Sequence, residues 1–386
     1  MHQDAARPER RGRLAVGEPP QAKQLGHWDA LADLGDVVCL VDCILAKSQS
    51  LRRAKAKVAV LFAKKRWIPV LLGLGILVTP CCAFGAEPDG SSFSFAELAT
   101  SPTQLAPVQT LKASDGTELA FREYLPSAPV AVLVLYHGGG AHSAAGYQTL
   151  GRNLADRNRI AVYTPDLRGH GASGGPRGDA PSSAQVLEDI GTVLDAVRSR
   201  HPGLPLFLGG HSSGVGAVVN FLTGPHPRPV EGMVLISPEF GHFAAVDRPN
   251  LPHPFASVSV MPFILNSMSG GLLGGHCMAI KFNYPPNVLK ADARMVTENS
   301  VNMAGALTPA SPRSQLAELR MPLGLWIGKQ DELLDPTAVV NLAGAAASQD
   351  KHLEVLEGAK HLSILMTVQA QIGPWITSHT KTGAER

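Results

Sequence analysis

The sequence predicts an α/β fold, with a mostly parallel central sheet, helices on both faces and an inserted cap. Three observations predict it. Val130, Ala131, Val132, Leu133, Val134, Leu135 and Tyr136 are apolar without a break, and a strand with two apolar faces needs cover on both, as in the interior of a parallel sheet. Strand-like and helix-like segments alternate from there towards the C-terminus, the order that builds βαβ units. Residues 238–312 break the alternation with a stretch containing Pro, Gly, Met and Phe, too long for a loop in a compact domain and therefore read as the cap.

Taken in order, residues 108–113 and 118–124 flank Ser114-Asp115-Gly116-Thr117, and the Asp-Gly turn joins them as a β-hairpin. The buried strand 130–136 follows. Residues 147–157 predict a helix and 160–165 a strand. Residues 182–200 predict a helix, because Val186, Ile190, Leu194 and Val197 recur at spacings of three and four. A strand from Leu206 runs into Gly210-His211-Ser212-Ser213-Gly214, and small residues after it suit a helix. Strands are expected at 232–236, 321–327 and 353–356, and a helix at 336–348.

The first part of the chain reads differently. Residues 1–66 carry 13 Lys/Arg and 7 Asp/Glu, leaving 21 and 25 for the rest. A mildly acidic body offers no clustered cations to meet phosphates, so no nucleic-acid partner is expected. Residues 1–59 predict no domain. Lys64, Lys65 and Arg66 then precede an apolar run over 67–84 that ends in small residues. Residues 60–86 thus have the positive flank, apolar core and small-residue exit of a secretory signal. Its place inside the chain has two explanations: a true start near Val58, Val60 or Leu61, leaving residues 1–59 untranslated, or a signal anchor that keeps a cytoplasmic head inside and the body outside. Pro69 and Pro80 interrupt the run, which is short for a membrane span, so cleavage after Ala83 or Gly85 is expected. The body is accordingly expected to be exported, periplasmic or secreted, or anchored to the membrane by residues 67–84. Residues 87–107 read as a linker and 108–380 as the folded domain.

Of the five cysteines, at 39, 43, 81, 82 and 277, only Cys277 lies in the body. That excludes an intrachain disulfide framework there. Cys39 and Cys43 lack a nearby His/Cys pair to complete a tetrahedral site. Neither metal nor cofactor is expected.

The chemistry gathers at strand ends, where loops of an open α/β sheet build sites. In Gly210-His211-Ser212-Ser213-Gly214 the glycines leave room for a sharp strand-to-helix turn that exposes Ser212 at a helix N-terminus, the arrangement of a nucleophile. Tyr136-His137-Gly138-Gly139-Gly140 ends a buried strand in glycines, so the Gly139 N–H, with that of Ser213, is placed to donate to a developing oxyanion. Asp331 follows one strand and His361 the next. The order Ser212, Asp331, His361 suits a triad in which Asp331 orients the imidazole and His361 takes the Ser212 proton and returns it to the leaving group. Glu332 and Asp335 are alternative acids, Asp166 reads as structural, and His137, His170 and His211 sit in turns or inside the elbow, where structural hydrogen bonds are the simpler role.

With these residues placed, the body from about 108 to 380 resembles the α/β-hydrolase superfamily, in the monoacylglycerol lipase and lysophospholipase-like branch also described as serine aminopeptidase-like. The resemblance rests on Tyr136-His137-Gly138-Gly139-Gly140-Ala141-His142-Ser143, Pro165-Asp166-Leu167-Arg168-Gly169-His170-Gly171-Ala172-Ser173-Gly174, Gly210-His211-Ser212-Ser213-Gly214, Gly328-Lys329-Gln330-Asp331 and Gly358-Ala359-Lys360-His361. It implies the α/β-hydrolase fold, with nucleophile, acid and base at Ser212, Asp331 and His361 and oxyanion amides at Gly139 and Ser213. Ser213 departs from the Met often found after the nucleophile in this branch, and Val215-Gly216 follows where a second Gly often comes directly.

The expected activity is hydrolysis of carboxylic esters (acylglycerols, lysophospholipids or similar lipid esters) through an acyl-enzyme. The apolar stretch 258–273 of the cap either lines an acyl channel or packs on the sheet. Two alternatives stand beside it. An aminopeptidase or amidase with the same triad needs an anion for the substrate's amino group, for which Glu239, Asp247, Asp292 and Glu298 are the candidates. A non-catalytic exported domain would carry the same residues without using them. Epoxide hydrolase and dehalogenase chemistry requires a carboxylate nucleophile, which Ser212 does not supply.

Overall fold

In the computed structural model, which describes residues 104–249, 251 and 254–380, eight strands form one sheet in the order β1-β2-β4-β3-β5-β6-β10-β11. The head, the signal-like segment and the linker up to residue 103 lie outside the described residues. Strands β1 (Val108–Lys112) and β2 (Glu118–Tyr124) form the expected hairpin, and β2 also pairs antiparallel with β4 (Ile160–Pro165). All remaining pairings, through β3 (Ala131–Tyr136), β5 (Leu206–His211), β6 (Gly232–Ile236), β10 (Leu323–Gly328) and β11 (Lys351–Leu356), are parallel.

The two-faced apolar pattern explains the layers. Side chains alternate across a strand, so Val132, Val134, Leu206, Leu208, Met233, Leu235, Leu323 and Leu325 join one core, while Leu133, Leu135, Phe207, Val234, Ile236 and Trp326 join the other. The first core is covered by α2 (Ser183–Arg200) and α3 (Ser213–Leu222), which bring Val186, Ile190, Leu194, Val215 and Val218. The second is covered by α1 (Tyr147–Asn158) and a C-terminal helix, Gln369–Ser378, which bring Leu150, Leu154, Ile372 and Ile376.

Between β6 and β10 the chain leaves the sheet, as the interrupted pattern of residues 238–312 anticipates. It forms a second, three-stranded antiparallel sheet, β7 (Ala256–Val258), β8 (Met278–Phe282) and β9 (Glu298–Ser300), with helices α4 (Val260–Met268) and α5 (Pro286–Ala291). Helix α6 (Val301–Leu307) falls within the same stretch, yet Met303, Ala306 and Leu307 join the first main core. The part standing away from the main sheet therefore ends near Ser300. Helices α7 (Pro312–Leu316) and α8 (Pro336–Ala343) flank β10, and Gln369–Ser378 is α9.

Among the described residues no helix is long and apolar enough to cross a membrane.

Candidate active site

The chain reverses its direction of travel across the sheet at β3, which has β4 on one side and β5 on the other. The carboxyl ends of parallel strands at such a switch point open a crevice. Ser212 leaves β5 at that point with φ 54° and ψ −130°, a backbone that L residues adopt at a cost of about 1–3 kcal/mol. The Ser212 N–H donates to the Ile236 carbonyl at 3.0 Å, and the Ser212 carbonyl accepts from Val215 N–H at 3.0 Å. The flanking glycines are required by space: a Cβ on Gly210 would lie 2.4 Å from the Gly214 carbonyl carbon, and one on Gly214 2.5 Å from the His137 carbonyl oxygen.

The structure brings the three triad candidates together from three strand ends. Ser212 Oγ–H donates to His361 Nε2 at 3.0 Å, and His361 Nδ1–H donates to Asp331 Oδ2 at 2.9 Å. Asp331 and His361 are buried. Burial opposes the charge on Asp331, but His361 and the N–H groups of Leu334 and Leu333, which donate to Oδ1 at 2.9 and 3.0 Å, hold its carboxyl below the usual range. Burial likewise opposes the imidazolium of His361, but the charge and hydrogen bond of Asp331, followed by the charges of Glu332 and Glu239, raise its pKa above the ordinary value.

The two oxyanion candidates adjoin this group. Ser213 opens α3, where N–H groups point out of the helix start. A Cβ on Gly138 would lie 2.8 Å from Ser212 Cβ, and one on Gly139 3.3 Å from Ser213 Oγ. Side chains are excluded on this loop because the elbow and the second sheet both press on it. Phe282 of β8 would meet a Gly139 Cβ at 2.8 Å. Tyr284 Oη–H donates to the Gly139 carbonyl at 2.8 Å, and Val296 N–H donates to that of Gly140 at 2.8 Å.

The rival residues have other partners. Asp335 caps α8, accepting from Thr337 and Ala338 N–H, and Glu332 Oε2 accepts from His361 N–H at 3.0 Å. Asp166 accepts from the N–H groups of Ser143 and Ala172, the structural role expected of it. His137 Nδ1–H donates to the Gly138 carbonyl and its Nε2 accepts from Leu167 N–H; His170 Nδ1–H donates to the Arg168 carbonyl. Burial pushes His170 down to about 3. Among the cap acids, Asp292 is paired with Arg294 and with the buried His142.

Sequence reasoning passed over one supporting relay. The Gly138 N–H donates to Tyr147 Oη, whose O–H donates to His211 Nδ1, and His211 Nε2–H donates to the His361 carbonyl. The glycine loop at Gly138 and the loop that carries His361 are thereby coupled through Tyr147 and His211. Nothing local marks Tyr147, because the link depends on α1 crossing the sheet.

Among the described residues no group of three or more His, Cys, Asp or Glu is placed to hold a metal ion.

The sequence profile of the family described as serine aminopeptidase, S33, matches residues 127–365. The chain is 28% identical over 284 residues to monoglyceride lipase of Homo sapiens, covering 70% of this chain and 90% of that one. It is 28% identical over 276 residues to monoacylglycerol lipase of Mycolicibacterium smegmatis, covering 68% and 94%. Among solved structures, a soluble variant of monoglyceride lipase from Saccharomyces cerevisiae in complex with a substrate analog superposes with a TM-score of 0.57 at 18% identity, covering 73% of this chain and 98% of that one. Similarity at that identity speaks to the fold.

Proposed function

The chain belongs to the serine aminopeptidase, S33, family of α/β-hydrolases, and from that premise we propose that it hydrolyses lipid esters through an acyl-enzyme on Ser212. The observation that carries the reading is the unbroken proton path from Ser212 Oγ to His361 Nε2 and from Nδ1 to Asp331, at 3.0 and 2.9 Å. In this mechanism His361 takes the hydroxyl proton as Oγ attacks the ester carbonyl, and the imidazolium is stabilised by buried Asp331. The oxyanion is received by the Gly139 and Ser213 N–H groups. The imidazolium then protonates the departing alcohol, and water repeats the sequence on the acyl-enzyme.

The ester is preferred to the amide on two grounds. The relatives named above are glyceride lipases. The cap also offers apolar surface to an apolar substrate: Val258, Met261, Met268, Leu272 and Leu273, close together in sequence, are each more than half exposed, and exposed apolar surface of this kind is found at binding sites. Asp292, one candidate anion for an amino terminus, is already neutralised by Arg294. Export, as read from residues 60–86, belongs to the same proposal.

The test is a panel of p-nitrophenyl esters of rising chain length with a fluorophosphonate probe. Ser212 should be labelled, medium or long acyl chains should be preferred, and peptide p-nitroanilides should turn over poorly. Because His361 acts as the neutral base and its pKa is raised, kcat/KM should fall as pH drops, beginning above the pH of an unperturbed histidine. Labelling of a serine other than Ser212, or a flat profile from pH 5 to 9, would overturn the proposal.

A further inference from the structure

One acidic side chain at the crevice has no part in the triad. Glu239 follows β6, and β6 lies between β5, which delivers Ser212, and β10, which delivers Asp331. Its backbone is tied to the nucleophile turn, Glu239 N–H donating to the Ser212 carbonyl at 3.2 Å. Its carboxylate is fixed at one oxygen, Oε1, which accepts from Gly241 N–H. Glu239 retains partial solvent exposure, while protein surrounds its carboxyl closely enough that burial, reinforced by the charge of Asp247, raises it to about 7.

We propose that Glu239 is a second positioning carboxylate for His361, stabilising the imidazolium formed as Ser212 attacks. The inference rests on the reading of His361 as the base. Asp331 orients the ring through Nδ1; Glu239 adds negative charge from the β6 side. A charge in a poorly hydrated crevice acts on an imidazolium more strongly than it would in water.

The neighbouring groups make the effect readable. After β6 come His242, Asp247 and Arg248, and Arg248 donates to the Asp331 and Lys329 carbonyls. After β10 come Asp331 and Glu332, the latter held on the His361 N–H. At the end of β5, burial and the adjacent His361 push His211 down to about 3, so it carries no competing positive charge at neutral pH. Glu239 is therefore a carboxyl at this edge whose charge changes near neutrality, in the range where the base works.

The experiment compares wild type, Glu239→Gln and Glu239→Asp in the full chain, reading the His361 ring titration by NMR and kcat/KM on p-nitrophenyl butyrate against pH. Replacing the carboxylate by a neutral isostere removes a stabiliser of the imidazolium. Glu239→Gln should therefore move both the ring titration and the acid limb down by about half a pH unit and lower plateau kcat about fivefold, with KM little changed. Glu239→Asp, which keeps the charge, should restore most of both. An unmoved ring titration, or a rate loss with an unmoved acid limb, would overturn the proposal. Should Glu239→Gln not fold, Asp247→Asn serves: with its neighbour neutral, Glu239 stays ionised to lower pH and the His361 titration should move up, whereas no movement counts against the coupling. Absence of turnover in wild type with the ring titrations shifting as expected would overturn the ester reading and retain the Glu239–His361 coupling.

Discussion

At the scale of single residues, the conformation of Ser212 separates what the fold wants from what the chemistry wants. Its φ of 54° is a backbone suited to glycine, yet the proposed chemistry uses a hydroxyl there, and the strain is sustained by backbone hydrogen bonds to Ile236, Glu239 and Val215 and by the close approach of Gly210 and Gly214. Ser212→Gly and Ser212→Ala both remove the proposed nucleophile and should both lower kcat at least about 10³-fold, but they differ in strain. We expect Ser212→Gly to be more stable than Ser212→Ala by about 1 kcal/mol in urea unfolding, because only the glycine relaxes the positive φ. Equal stabilities would mean that the elbow is unstrained. The meeting of Ser212, Asp331 and His361 was legible in the sequence, since each follows a strand in a short local pattern. Glu239 and Tyr147 were not legible in their present roles: what places Glu239 between nucleophile and acid is the neighbour order of three strands, and what places Tyr147 under His211 is the crossing of a helix, and neither leaves a mark in nearby residues.

Secondary-structure elements show the same division between local and non-local causes. The hairpin, the buried strand β3 and α2 were legible because apolar periodicity and an Asp-Gly turn specify them directly. The helix expected over 336–348 stops at Ala343 although Ala345, Ala346 and Ala347 favour helix. Its continuation is replaced by turns, with Ala347 N–H donating to the Leu316 carbonyl, because the chain must return to the sheet edge. The last strand starts two residues earlier than its apolar pattern, at Lys351 and His352, since an edge strand leaves such positions exposed. Helix α9 was overlooked because Pro374 interrupts its pattern. The Asp166-to-Gly174 motif turns out to join elements: the buried Arg168 pairs through Nε and Nη2 with Asp189 of α2 at 2.8 and 2.7 Å and through Nη1 with Asp115 of the hairpin turn at 2.7 Å. Arg168→Met leaves Asp189 buried without its cation, with only Gln185 Nε2 still donating to it, which should cost about 3–5 kcal/mol. Burial already raises the Asp189 pKa, and losing Arg168 raises it further, so protonation rescues the variant. The deficit, measured by urea unfolding at several pH values, should be largest near pH 8 and shrink towards pH 4. A deficit independent of pH would show that lost packing, not an unpaired carboxylate, dominates.

On the scale of the whole molecule, the second sheet is coupled to the chemistry through backbone carbonyls. The sequence marked residues 238–312 as an insertion but carried no trace of how they meet the oxyanion loop, because the contacts join Tyr284 to Gly139 and Val296 to Gly140 across more than a hundred residues of chain. Those two bonds fix the peptide units that join Gly139 to Gly140 and Gly140 to Ala141, so the Gly139 N–H, the proposed oxyanion donor, is held from the next peptide unit through the Gly139 Cα. Preorganisation of that amide is what gives an oxyanion hole its effect. Tyr284→Phe removes one grip while keeping the ring that packs on Phe255 and Phe282. We expect kcat on a p-nitrophenyl ester to fall about tenfold with KM changed less than twofold, since the hydrogen bond matters most when charge develops. Stability should fall by only about 1 kcal/mol, the net worth of one hydrogen bond. A tenfold rise in KM at unchanged kcat would instead mean that Tyr284 shapes substrate binding and that the loop holds its geometry without the cap.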